Sequence, residues 1–210
     1  MNLGIKKHIL YAMVTMFFMI TPATVCAQKH TDTDKLSRAL EYFTSGKYHE
    51  ALLIFQYLDK NYKLNPRFRA YIGLCLYYEW EYEKAVTYFE EVLPQLDGLA
   101  PHERSVYYYA TAESYFNLSQ YSKAIPYYER VINLCYSNEK GDVFYRLGFC
   151  YMFINDWENA RDFFQSSLLY YQQYSNTAEI QPRLSQLEKM IQGCEKKCEK
   201  KSNDVVKPEQ

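Results

Sequence analysis

Chain breakers are scarce in this sequence: 7 glycines and 7 prolines in 210 residues. So few argue against a turn-rich architecture and favour helices joined by short connections. Basic charge is not in excess either, with 24 Lys+Arg against 25 Asp+Glu. Without a basic surplus to neutralise phosphates, nucleic acid is not an expected partner. Catalytic signatures are missing as well. The sequence holds no His-Glu-x-x-His, no glycine-rich phosphate loop and no Gly-x-Ser-x-Gly. Of its four histidines, His8 and His30 fall in the N-terminal region, while His49 and His102 read as solvated residues without a Cys or carboxylate at a useful spacing. No catalytic residue, metal site, cofactor or small-molecule substrate is therefore expected.

Long apolar runs are absent but for one near the start. Lys6 and Lys7 precede an apolar stretch from Ile9 to Ile20, Pro22 breaks it, and Val25-Cys26-Ala27 offers small residues for a signal peptidase. That is the three-part pattern of a secretory signal over residues 1–27. The run is short of the roughly 20 residues a spanning helix needs. Cleavage after Ala27 is expected, giving a periplasmic or secreted protein with no stable membrane insertion. Val25 is a poor residue to precede a lipidated Cys26. The cleavage takes away two lysines and no acids, leaving 22 Lys+Arg against 25 Asp+Glu, a charge of −3. Export implies an oxidising compartment, yet five cysteines remain, an odd number that cannot pair completely. Cys194 and Cys198 share a helix face, where packing beneath a cap is the favoured role. Asp32-Thr33-Asp34 reads as a helix start.

What the sequence has in plenty is aromatic: 23 Tyr and 12 Phe. Such side chains need large contact surfaces, and each Tyr hydroxyl needs a partner. They recur with a period. Four segments align as polar, aromatic, polar, polar, alanine: Lys47–Ala51, Glu81–Ala85, Gln120–Ala124 and Asp156–Ala160. The alanines Ala51, Ala85, Ala124 and Ala160 are 34, 39 and 36 residues apart. Four residues after each stands Phe55, Phe89, Tyr128 or Phe164; nine before, Tyr42, Leu76, Tyr115 or Tyr151; twelve before, Ala39, Gly73, Ala112 or Gly148. Small residues at two fixed places mark where helices cross closely, and the aromatics fill the gaps around them. Gly148 is expected to tolerate Ala but not Leu or Phe.

In these residues the chain resembles the tetratricopeptide repeat family, whose unit is a helix pair of 34 residues. The fourth unit carries the pattern most fully, with Phe144, Leu147-Gly148, Tyr151, Ala160 and Phe164. The resemblance implies an all-α, right-handed superhelical solenoid of four units, at 32–65, 66–99, 105–138 and 141–174. Lys35 and Arg38 suit an N-terminal cap. After the fourth unit, Leu184, Leu187, Ile191, Cys194 and Cys198 form one apolar stripe, predicting a capping helix over 179–201. Residues 28–31 are expected to be a flexible start, 202–210 a disordered tail, and the stretch around Ala100 to Arg104 a turn.

The resemblance also implies a function: binding a protein partner in a concave groove lined by the first helix of each pair. Carried onto this chain, the first unit contributes Leu36, Leu40 and Phe43, and the second Ala70, Leu74, Tyr77 and Tyr78. The third adds Tyr109, Glu113, Phe116 and Asn117; the fourth, Tyr145, Phe149, Met152 and Phe153. No basic residue is among them, so the groove should take an apolar or aromatic segment, with little dependence on salt. Tyr109→Ala and Phe149→Ala are expected to weaken binding without unfolding the chain. The alternative is a self-associating, structural subunit whose groove is occluded by a second copy or by the chain's own C-terminal helix.

Overall fold

The computed structural model describes residues 21–175 and 178–206. Among them are nine α-helices, two short 3-10 turns and no strand. The chain divides into two compact units, 1–64 and 65–210.

The first unit is one helix pair, α1 (Thr21–Thr44) and α2 (Tyr48–Tyr62). Ala39, Ala51 and Phe55 are fully buried where the helices meet, and Phe43 sets its ring edge-on to Tyr48 and Phe55. No glycine or proline stands between Pro22 and Gly46, so nothing stops α1 short. It therefore runs through 28–31, which the sequence leaves as a flexible start, and through Asp32, which is not a helix start. Asp32 is buried, taking hydrogen bonds from Lys35 Nζ at 2.8 Å and from the Tyr62 hydroxyl. Of the expected signal segment, residues 1–20 lie outside the described residues. Pro22 sits in the first turn of α1.

The second unit holds three helix pairs and a final helix: α3 (Pro66–Tyr78) with α4 (Tyr82–Val92), α5 (Pro101–Asn117) with α6 (Tyr121–Leu134), α7 (Lys140–Phe153) with α8 (Trp157–Tyr174), then α9 (Gln181–Val206). Asn65 caps α3 by accepting from the Phe68 amide, and Pro66 occupies the first helical position, where its missing N–H costs nothing. Pro101 does the same for α5. That helix begins within the stretch expected to be a turn; the connection is instead Leu96–Ala100. Asp156 caps α8 through the Asn159 amide. At α9 the expected disordered tail is helical from 202 to 206, because no proline follows Pro182 until Pro208.

All four turns within pairs close the same way. Gly46, Trp80, Ser119 and Asn155 have φ between 59° and 73°. Each next amide bonds back five residues: Lys47 to Tyr42, Glu81 to Leu76, Gln120 to Tyr115, Asp156 to Tyr151. This left-handed closure caps the first helix and starts the second at the aligned pentapeptides. The small residues carry the close crossings. Ala85, Ala124 and Ala160 are fully buried. A Cβ built on Gly73 would lie 2.7 Å from the Phe89 ring, and one on Gly148 only 2.4 Å from the Phe164 ring. At such a distance even a methyl group forces a fully buried ring to move. This close approach runs against the expectation that Gly148 tolerates Ala.

Candidate protein-binding groove

Within the second unit, α3, α5 and α7 are the first helices of successive pairs, and their side chains build the candidate groove. An apolar face on three neighbouring helices would ordinarily carry no charge, yet α5 places Glu113 there with only 3% of its surface exposed. A buried carboxylate must find a counter-charge. Arg146, on α7, supplies it in fork geometry: Nε stands 2.7 Å from Oε1 and Nη2 donates to Oε2 at 2.8 Å. The Tyr128 hydroxyl on α6 also donates to Oε1. The guanidinium lies 4.8 Å over the Phe116 ring, and its charge acts on the Tyr109 hydroxyl. Burial opposes the charge on Arg146, but the Glu113 carboxylate together with the Tyr128 and Tyr109 hydroxyls outweighs it and holds the guanidinium protonated. Burial, with Glu113 nearby, pushes the Tyr77 hydroxyl up to about 12 and raises Tyr109 and Tyr128 further.

Sequence reasoning missed this centre. It counted no basic residue in the groove and placed Glu113 among the residues lining it. In the structure Glu113 is consumed by Arg146 and Tyr128 and projects no free charge. The signal was present: an acid at a core-facing register requires a base on an adjacent helix, and Arg146 directly follows the groove residue Tyr145.

Two aromatic groups flank the ion pair. On one side Tyr77 and Tyr78 meet edge to face at 5.1 Å. With Leu74, Tyr109 and Val143 they wall an open cavity of about 310 Å³. Glu139 and Asp142 stand on that cavity. His102 also lines it; it is half-buried, stacked on Tyr136 at 4.0 Å and bonded to Glu139 at 3.0 Å. It is not the solvated residue the sequence suggests, because its carboxylate partner lies 37 residues further on. On the other side Phe153 stacks on Tyr121 at 4.5 Å, and Phe116 approaches both. Tyr78 and Phe153 are 44% and 46% exposed, while Tyr77, Tyr109 and Phe116 are half-buried.

The remaining fourth-unit residues are less available. Tyr145, Phe149 and Met152 pack on the cluster formed by Ala160, Phe164, Leu187, Ile191 and Cys194. Phe149 meets Phe164 edge-on at 5.4 Å, and Arg183 of α9 lies 4.4 Å over Tyr145. Phe149→Ala would thus open the core as well as the groove, and Tyr109→Ala would strip a partner from Arg146. Neither isolates binding in the way the sequence suggests. Ala70 and Leu74 are buried and Asn117 is exposed. Leu36, Leu40 and Phe43 belong to the first unit and are half-buried there. Cys75, Cys135, Cys150, Cys194 and Cys198 are all unpaired thiols; burial pushes Cys75 and Cys150 up to about 12, which keeps them inert.

Residues 106–138 and 142–174, which hold the third and fourth helix pairs, each match a family model of the tetratricopeptide repeat. Solved structures agree on the fold. MamA from Desulfovibrio magneticus RS-1 is 18% identical, with a TM-score of 0.55 over 80% of this chain and 96% of that one. MamA AMB-1 is 13% identical, with a TM-score of 0.58 over 79% and 94%. Repeats of a kinesin light chain from Podosopora anserina are 14% identical, with a TM-score of 0.56 over 80% and 91%. No curated protein matches the chain. At these identities the likeness is one of fold: the chain is an all-helical protein of the tetratricopeptide solenoid type.

Proposed function

We propose that this chain, built on tetratricopeptide repeats, is an exported scaffold that holds an apolar or aromatic segment of a partner protein against α3, α5 and α7. The observation that supports this most directly is the pair of aromatic groups on either side of the Glu113–Arg146 ion pair, each with one strongly exposed ring, Tyr78 or Phe153. Exposed aromatic patches mark interaction sites, and Tyr is enriched among the residues that dominate binding energy. Burial of such rings contributes about 25 cal/mol per Å². Because Glu113 is already paired, it neither attracts nor repels a ligand, and specificity falls to the aromatic walls.

The test is a displayed random-peptide library selected on the full chain. Apolar and aromatic peptides should be enriched, and they should bind the Tyr78→Ala/Phe153→Ala double variant at least tenfold more weakly. Both rings are half in solvent, so the variant should melt within a few degrees of the parent. Selection of peptides that lose binding when their C-terminal carboxylate is amidated would sink the reading. The export half of the proposal rests on Lys6, Lys7, the apolar run after them and Ala27. N-terminal sequencing of the exported form should begin at Gln28; a start at Met1, or a lipid on Cys26, would refute it.

A further inference from the structure

The cavity beside Tyr77, Tyr78 and Tyr109 has a chemistry that an apolar side chain would not use. Two carboxylates, Glu139 and Asp142, stand on it with side chains 42% and 62% exposed. Among the described residues that line it there is no lysine or arginine. His102 shares Glu139. Asp142 accepts from the Tyr171 hydroxyl, and Arg183 Nη1 stays 3.9 Å away from it. Glu139 also accepts from the Tyr136 amide at 2.8 Å, yet each carboxylate is partly open to solvent and has more lone pairs than these partners use. An aliphatic side chain entering here would remove that solvent and return no hydrogen bond.

From this we infer that the cavity takes a cationic side chain, a guanidinium or an ammonium, of the segment bound in the groove. The inference rests on the groove reading above for the source of that cation. The fit is physical at each wall. Leu74, Val106 and Val143 suit the methylene stem of Arg or Lys. The tyrosine rings offer the negative π face that attracts a desolvated cation, and the carboxylates supply the charge. The chain uses the same combination on itself. Arg146 lies over Phe116 and binds Glu113. Arg69 lies 5.9 Å over Tyr88 and binds Glu91 at 2.8 Å. In both an arginine meets an aromatic ring and a carboxylate together. The cavity offers rings and carboxylates with no arginine of its own among the residues that line it.

A model compound tests this without knowledge of the partner. N-acetyl-arginine methylamide and its citrulline counterpart, alike in shape but differing in charge, are titrated into the full chain while tyrosine ring resonances are followed by NMR. Tyr78 and Tyr109 are assigned from their Phe variants. The arginine compound should shift both rings saturably, with a Kd at least tenfold below that of the citrulline compound, and E139Q/D142N should erase the difference. Equal response to the two compounds, an absence of saturable shifts, or full affinity in E139Q/D142N overturns the inference. Should display-selected apolar peptides still bind in that event, the groove reading survives alone. Arginine binding without any selected peptide would instead uphold the cation site and remove the groove reading.

Discussion

Arg146→Met should lower the stability of the protein by about 3 kcal/mol. The substitution keeps an unbranched apolar stem over Phe116 but leaves the Glu113 carboxylate buried, with the Tyr128 hydroxyl as its one remaining side-chain partner described above. Breaking a buried ion pair from one side typically costs about 3–5 kcal/mol, because the surviving charge is uncompensated. The Arg146 side chain is 33% exposed, so solvent screens part of the effect and places it at the lower end of that range. For a chain of this size each kcal/mol moves the midpoint by about 2–4 °C, giving an expected fall in Tm of roughly 6–12 °C. Adding Glu113→Gln should return most of the loss, since Gln can still accept from Tyr128 and carries no charge. Thermal melts of the single and double variants decide the matter. A loss below about 1 kcal/mol for Arg146→Met would show that the pair behaves like a surface salt bridge and does not organise the groove.

Gly148→Ala should also destabilise, against the usual direction of a Gly-to-Ala change in a helix. Helix propensity alone favours Ala by roughly 1 kcal/mol. Against that stands the 2.4 Å approach of the new methyl to Phe164 Cδ1. Phe164 has no open side to retreat to: it is fully buried and interlocked with Tyr145 and Phe149. Overpacking of this kind costs about 1–3 kcal/mol. We expect a net loss of up to about 2 kcal/mol after the propensity gain, and failure to fold for Gly148→Phe. Phe164→Leu in the Gly148→Ala background should recover part of the loss by freeing ring volume, whereas Phe164→Leu alone should be destabilising. A Gly148→Ala protein that melts at or above the parent temperature would contradict the crossing geometry.

The two cases mark where the sequence was legible. Gly148, Ala160 and Phe164 stand in one local repeat, and spacing alone brings them together, so helix pairs and crossings could be read directly. Glu113 and Arg146 are 33 residues apart on different pairs, as His102 and Glu139 are 37 apart. Such contacts depend on how one pair rotates against the next, and periodicity within a pair does not encode that rotation. Helix ends were misjudged for another reason. Residues 28–31 and 202–206 look polar and unpatterned, but polarity does not stop a helix where no breaker stands.

Arg146 and Arg183 reach backward in the same manner, each from one helix onto the tyrosine of the preceding pair, Tyr109 and Tyr145, which occupy the same place in their repeats. At that place the second unit carries Ala70. Solenoids can lengthen or shorten by duplicating or losing modules when every junction is alike. Here the junctions are keyed. A duplicated fourth pair would set Arg146 against Phe149 in place of Glu113, and a deleted third pair would set it against Leu74, leaving its charge without an acid in either case. Polar matching thus sets a cost on either rearrangement at the junction of the third and fourth pairs.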